Sequence, residues 1–255
     1  MRRYFLLLLI CCKSNFSNAQ DLKSIIQRTP VKSWYAMNSG EFIFSAGELK
    51  ISDKVVYDPF GNFNTISEPD NTIRFSSFFH TSQELHYNFS NVFGFYTGLA
   101  VRNVGFINTM KVGGEKLTVK QRSYSLGIPV AVKIGNMQTY FLTAGIEPEI
   151  MFAYKRKIFF DGDKSKKSQW FSNDVNVFNP SLFAQINFKG GFYIKAKYYL
   201  NDFLTSNKEG FNLPDKPVSV SYKVDSSKLY YVSIGTSIKN RKIKMKKPIQ
   251  TSVAI

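Results

Sequence analysis

The chain has 255 residues, 44% hydrophobic and 16% aromatic, with Phe (24) and Tyr (14) far outnumbering Trp (2). Lys and Arg exceed Asp and Glu by 34 to 18, a net charge of +16, and mean hydropathy is −0.19. Beyond the first twenty residues no run of about eighteen apolar residues occurs, which excludes a helical membrane protein and leaves room for a barrel, where only alternate residues face lipid.

The N-terminus reads as a Sec signal peptide over residues 1–19. Arg2 and Arg3 precede the apolar stretch Phe5–Cys12, and Ser17-Asn18-Ala19 supplies small residues for cleavage after Ala19. A lipoprotein would need a small residue before the cysteine, and Ile10 precedes Cys11. Both cysteines depart with the leader, so the mature chain has none, which excludes disulfides and thiol catalysis. Losing Arg2, Arg3 and Lys13 removes three positive charges from +16 and leaves +13. Such a field attracts polyanions, and in an outer membrane the nearest is lipopolysaccharide. Scattered lysines that only aid solubility fit the charge equally well. Nucleic acid is not an expected partner, because no recognition motif accompanies the charge and the compartment is wrong.

Residues 20–40 form a patternless periplasmic lead, 41–239 a barrel, and 240–255 a basic periplasmic tail with Arg241, Lys242, Lys244, Lys246 and Lys247. Eight strands are expected: Glu41–Ile51, Thr72–Phe89, Phe93–Ile107, Val119–Ile134, Thr139–Phe159, Val177–Phe188, Phe192–Asn201 and Lys228–Lys239. Their links alternate. Short ones fall at Ser90–Val92, Gly135–Gln138 and Lys189–Gly191. Long ones run Ser52–Asn71, Asn108–Thr118, Phe160–Asn176 and Asp202–Ser227. Tight turns at one rim and long loops at the other predict an all-β, eight-stranded antiparallel up-and-down transmembrane β-barrel, with some strands continuing above the membrane.

Alternation assigns faces. On the second strand Ile73, Phe75, Phe79, Leu85 and Tyr87 oppose Arg74, Ser76, His80, Glu84 and His86. The fourth sets Tyr124, Leu126, Ile128, Val130 and Val132 against Ser125, Gly127, Ala131 and Lys133. The fifth sets Tyr140, Leu142, Ile146, Ile150, Phe152 and Tyr154 against Thr143, Gly145, Glu147 and Glu149. The polar face is rich in Gly, Ala and Ser, as a narrow eight-stranded interior requires. Aromatics gather near strand ends of the apolar face, as interfacial girdles do. Both features put the apolar face outside; a soluble lipocalin-like ligand-binding barrel is the alternative.

The segment Gln121–Lys133, with Ile128-Pro129-Val130, followed by Tyr140–Pro148, with Ala144-Gly145, resembles the central hairpin of the Bacteroidetes outer-membrane β-barrel domain family, sometimes called PorT-like. The resemblance implies this barrel fold and a link to a secretion apparatus, with an envelope or secretion-apparatus protein as a partner. The sequence departs from the usual barrel ending, a last strand with a terminal aromatic, because Asn240–Ile255 continues as the basic tail.

On the polar face, Arg74, Arg102, Lys133, Lys195 and Lys197 meet Glu84, Glu147 and Glu149 across a narrow lumen. A salt-bridged plug is the expected outcome, since buried charges demand partners; an ion path or gate is the alternative. The two histidines, His80 and His86, lie on one face with Glu84, Ser76 and Ser82 nearby, so a triad or a metal site can be drawn, as for a lipid A-modifying enzyme. Any alternating polar face supplies such types. No enzyme, cofactor, metal or catalytic residue is therefore expected. Asp161-Gly162-Asp163 reads as a turn, lacking the later ligands of a calcium loop. The long loops, with Lys155–Lys167, Trp170 and Phe171, are the expected binding or assembly surface.

Overall fold

A computed structural model describes residues 33–61, 65–205 and 208–239. The expected leader over 1–19 and the tail over 240–255 lie outside the described residues.

The strands are β1 (Ser33–Tyr57), β2 (Asp70–Thr72), β3 (Arg74–Ser76), β4 (Thr81–Asn88), β5 (Phe93–Val112), β6 (Glu115–Gly127), β7 (Val130–Gly135), β8 (Phe141–Glu147), β9 (Glu149–Phe160), β10 (Asp163–Trp170), β11 (Ser181–Asn187), β12 (Phe192–Tyr199), β13 (Lys208–Asn212) and β14 (Ser219–Lys239). All fourteen belong to one antiparallel sheet. Pairings run β1–β4–β5–β7–β8–β11–β12–β14 and return to β1. The sheet therefore closes on itself at the rim that carries the short turns and Ser33 and Lys239.

Fourteen segments replace the eight uninterrupted strands expected. Pro129 divides β6 from β7 and Pro148 divides β8 from β9. The register (Gly127↔Glu149, Val130↔Ile146) puts the two prolines at adjacent positions of one ladder, so both missing donors fall in the same place. The second expected strand is broken at 77–80, where Phe79 takes φ 61°. The first strand begins earlier than expected: Ser33–Gly40 is not a patternless lead but pairs with Thr81–Asn88 along its whole length.

The long loops are mostly strand. Asn108–Thr118 is a hairpin whose tip is Gly113-Gly114, at φ 57° and 92°. Phe160–Asn176 turns at Asp161-Gly162 and returns as β10 against β9. Two consecutive positive-φ residues are what a tight hairpin demands. Above the ring the wall comprises β2, β5, β6, β9 and β10 on one side and β1, β13 and β14 on the other. It stays open between β10 and β13, bridged at Val175↔Leu204.

Polarity inverts along the barrel axis. In the half near the short turns, Phe42, Leu99, Val132, Leu142, Leu182, Tyr198 and Val232 stand exposed on the outer face while charges fill the inside. In the far half the inside is apolar: Phe106, Met110, Leu117, Met151, Tyr154, Phe160, Phe203, Val220 and Tyr222 form one buried cluster. Bulges serve this change. Between Tyr124↔Ala153 and Ser125↔Met151 the β9 strand carries an extra residue, Phe152. Between Lys50↔Ser226 and Ile51↔Val224, β14 carries Asp225. Each insertion shifts alternation by one residue. Tyr154, expected outside with Phe152, is consequently inside and fully buried.

Candidate functional site

The near half of the lumen holds four buried carboxylates, Glu41, Glu84, Glu147 and Glu149, and four buried cations, Arg102, Lys133, Lys195 and Lys197. They arrive by alternation from β1, β4, β5, β7, β8, β9 and β12, the last supplying both Lys195 and Lys197. Arg102 is the hub. Its Nε donates to Glu41 Oε1 at 2.6 Å and its Nη1 to Glu147 Oε1. Lys195 meets Glu41 Oε2 at 3.3 Å. Lys197 bridges Glu147 Oε2 at 2.7 Å and Glu149 Oε1 at 2.5 Å, so the carboxylates flanking Pro148 share one cation. Hydroxyls complete the shell: Ser233 donates to Glu41, and Ser125 and Tyr199 to Glu149. Glycines make the room, since a Cβ at Gly127 would overlap Glu147 and one at Gly94 would lie 2.9 Å from Lys133 Cε.

Nearer the mouth, a cavity of about 180 Å³ is lined by Tyr35, Glu84, His86, Asn88, Tyr96 and Lys239 among others. Here His86 Nε2 lies 3.0 Å from Glu84 Oε2 and its Nδ1 lies 3.2 Å from Lys133 Nζ. A lysine ammonium only donates, so Nδ1 accepts and Nε2 carries the proton given to Glu84. Lys133 also donates to Asn88 Oδ1 at 2.6 Å and Tyr35 Oη at 3.1 Å. Ser82 donates to the other oxygen of Glu84.

His80 is separate from this chain. Its Nδ1 accepts the Asn103 amide and its Nε2 lies 2.7 Å from Ser76 Oγ. With Nδ1 occupied by a donor, neutral His80 carries its proton on Nε2 and offers Ser76 no basic nitrogen. The two histidines that share a face in the sequence thus form two different contacts. Arg74 also stands apart from the charge network. Its guanidinium donates to the Asn103 backbone and side-chain oxygens, at 3.1 and 2.9 Å, and to Ser76, and meets no carboxylate at ion-pair distance among the described residues. Its place along the barrel explains this: it stands opposite Ser45, four residues along β1 from Glu41.

Sequence reasoning missed Glu41, which the alternation of Glu41, Ile43 and Ser45 against Phe42 and Phe44 would have revealed. It also missed a polar cluster inside the far half. There Arg156 Nη1 donates to Glu209 Oε2 at 3.0 Å, joined by Gln121 and Tyr222. These donors converge on Oε2, and Oε1 has no hydrogen-bond partner among the described residues. Burial holds the Glu209 carboxyl above its ordinary pKa, with Arg156 opposing and Asp174 adding to the rise. Arg156, within the stretch Lys155–Lys167, points inward between Lys155 and Lys157, which point outward. Asp161 caps the β9–β10 turn and pairs with Lys216 at 2.9 Å. Trp170 and Phe171 are exposed, Trp170 stacking on Phe152 at 5.9 Å.

No family model matches the chain, and no curated protein does. Among solved structures it is similar to the attachment invasion locus protein Ail of Yersinia pestis, at 13% identity and a TM-score of 0.34, covering 82% of this chain and 100% of that one. It is also similar to the outer membrane protein OprG from Pseudomonas aeruginosa, at 12% identity and a TM-score of 0.38, covering 81% of this chain and 96% of that one. Ail in complex with the heparin analogue sucrose octasulfate matches at 13% identity and a TM-score of 0.28, covering 79% of this chain and 99% of that one. At such identities and scores nothing about this chain's location, ligand or partner is taken from them.

Proposed function

We propose that this chain is an integral outer-membrane protein whose ring crosses the membrane as an eight-stranded up-and-down barrel. In this reading Sec exports it, the short turns and both chain ends face the periplasm, and the lumen is plugged. The barrel acts as a rigid anchor for a folded extracellular extension that works in binding or envelope assembly, without catalysis. The observation that carries the reading is the inversion of polarity along the axis. A chain passing from hydrocarbon into water needs lipid-facing apolar side chains with polar groups satisfied inside, and then the reverse. A lipocalin-like barrel in water would bury its apolar face throughout. Instead, an apolar band runs round the ring, far beyond the roughly 300–600 Å² patches of soluble monomers. Against a lipid A-modifying activity stand the hydrogen bonds of both histidines, whose ring nitrogens are all engaged. The partner class favoured by the PorT-like resemblance is an envelope or secretion-apparatus protein docking on the extension or the tail.

The chain's two tryptophans make a direct test. Trp34 packs with Tyr87 at 4.7 Å at the near rim, and Trp170 stacks on Phe152 at the far end of the band. Single-tryptophan variants reconstituted in bilayers with brominated lipids should both be quenched, most strongly by bromines close to the headgroups. Two tryptophans untouched by any brominated lipid would favour the soluble barrel.

A further inference from the structure

The outer face of β6, β9 and β10 carries a cationic array just beyond the aromatic level of the band. Lys120, Lys157 and Lys166 stand directly opposite one another across three neighbouring strands, and Arg122 stands opposite Lys155 in the next row. Lys164 flanks them beside Phe159. Like charges directly opposite are destabilising in a sheet, and here they recur in two adjacent rows. No carboxylate lies within ion-pair distance of these six among the described residues. They contact one another and ring faces: Lys120 and Lys164 over Phe159, Arg122 over Tyr124. Asp70 is exposed on the edge strand β2, on the same side of the wall. Burial and then the neighbouring cations hold the Lys155 and Lys157 ammoniums below their usual pKa. The rows sit two and four residues beyond Tyr124, about 7 and 13 Å along a strand. That is the depth of the headgroup layer if Tyr124, Phe152 and Trp170 mark the interface.

We propose that this face binds the phosphate groups of an anionic outer-leaflet glycolipid, with Lys120, Lys157 and Lys166 as the central contact. The proposal rests on the outer-membrane reading above. Phosphates seated between the two rows supply the countercharge that the sheet itself lacks. The aromatics below provide the apolar shelf for acyl chains, which makes a membrane-borne phosphate the fit rather than a soluble polyanion.

The test uses the full chain in phosphatidylcholine nanodiscs containing a small fraction of bisphosphorylated lipid A, with phosphate-free lipid A in parallel. The variant combines Lys120→Gln, Lys157→Gln and Lys166→Gln; a control removes equal charge elsewhere, at Lys50, Lys189 and Lys223. At roughly fivefold per cation near a charged headgroup, lipid A affinity should fall by about a hundredfold in the variant. The control should hold within a few-fold, and phosphate-free lipid A should bind weakly to all three proteins. Equal affinity of variant and wild type, or of the two lipids, overturns the proposal. So does a heparin fragment that binds the same face while lipid A does not. Tryptophan quenching on the same samples separates the layers. Quenching with no phosphate dependence defeats this proposal alone, whereas no quenching defeats the membrane reading with it.

Discussion

Arg102 shows how much a single side chain holds in this lumen. It touches carboxylates from β1 and β8, and the balance of four cations against four carboxylates depends on it. Replacing it by Met leaves Lys195 and Lys197 in place but one carboxylate uncompensated in a dry interior. Removing one partner of a buried pair costs about 3–5 kcal/mol. Arg102→Met should therefore lower the urea midpoint of the detergent-folded barrel by that equivalent. Arg102→Lys should fall between, because the ammonium keeps the charge but lacks the fixed fork of guanidinium donors. An unchanged midpoint in the Met variant would show that the network is not structural. Glu209 gives a pH-dependent counterpart. Its folded pKa is raised, so between the unfolded value near 4.5 and the folded one the native state binds more protons than the unfolded state. Stability then falls as pH rises through that window and is retained below it. Thermal unfolding from pH 4 upward should show this decline in the wild type and not in Glu209→Gln. The face of each lumen charge was legible, because alternation is a local property of a strand. Which charge meets which was not, since Arg102, Glu41 and Glu147 converge only when the ring closes. Arg74 was misplaced because its level along the axis, opposite Ser45 and four residues beyond Glu41, shows only once the strands are paired.

At the level of elements, the far half is where reading the sequence fell shortest. Its strands looked like loops because they are short or punctuated by Gly and Asp turns, and because their core assembles from segments far apart in the chain. Phe106, Phe203 and Tyr222 belong to three strands or links that alternation cannot bring together. The Phe152 and Asp225 bulges add a second obstacle, since a one-residue insertion moves every later side chain to the opposite face. If that core is what makes the extension a folded unit, Phe106→Ala, at a fully buried ring packed on Phe203, should cost about 3–5 kcal/mol locally. Trypsin added to intact cells should then cut the lysine-rich β9–β10 hairpin faster than in wild type. Leu142→Ala, on the exposed outer face of the ring, should leave the cleavage rate unchanged. Equal protection of the Phe106 variant would mean the extension owes its order to the ring and not to its own core.

The whole molecule combines a half near the short turns filled by charges and a far half filled by hydrocarbon, and the two fillings together decide whether anything passes through. A narrow β-barrel has an interior just wide enough for side chains. Here Arg102, Lys195 and Lys197 reach across it to Glu41, Glu147 and Glu149, and the apolar cluster closes the space above them. The cavity beside His86 is lined at the near rim by Met137, Thr139, Lys189 and Gly191, and none of Arg102, Glu41 or Glu147 lines it. Water can enter it without finding a continuous path. Planar-bilayer recordings of the full chain should accordingly show no stable large conductance across a range of voltages. Lys133→Glu, which alters charge only at the dead-end cavity, should stay silent as well. Steady open-channel currents in the wild type, with ion selectivity that reverses in Lys133→Glu, would instead make this lumen a pore and its ion pairs a gate.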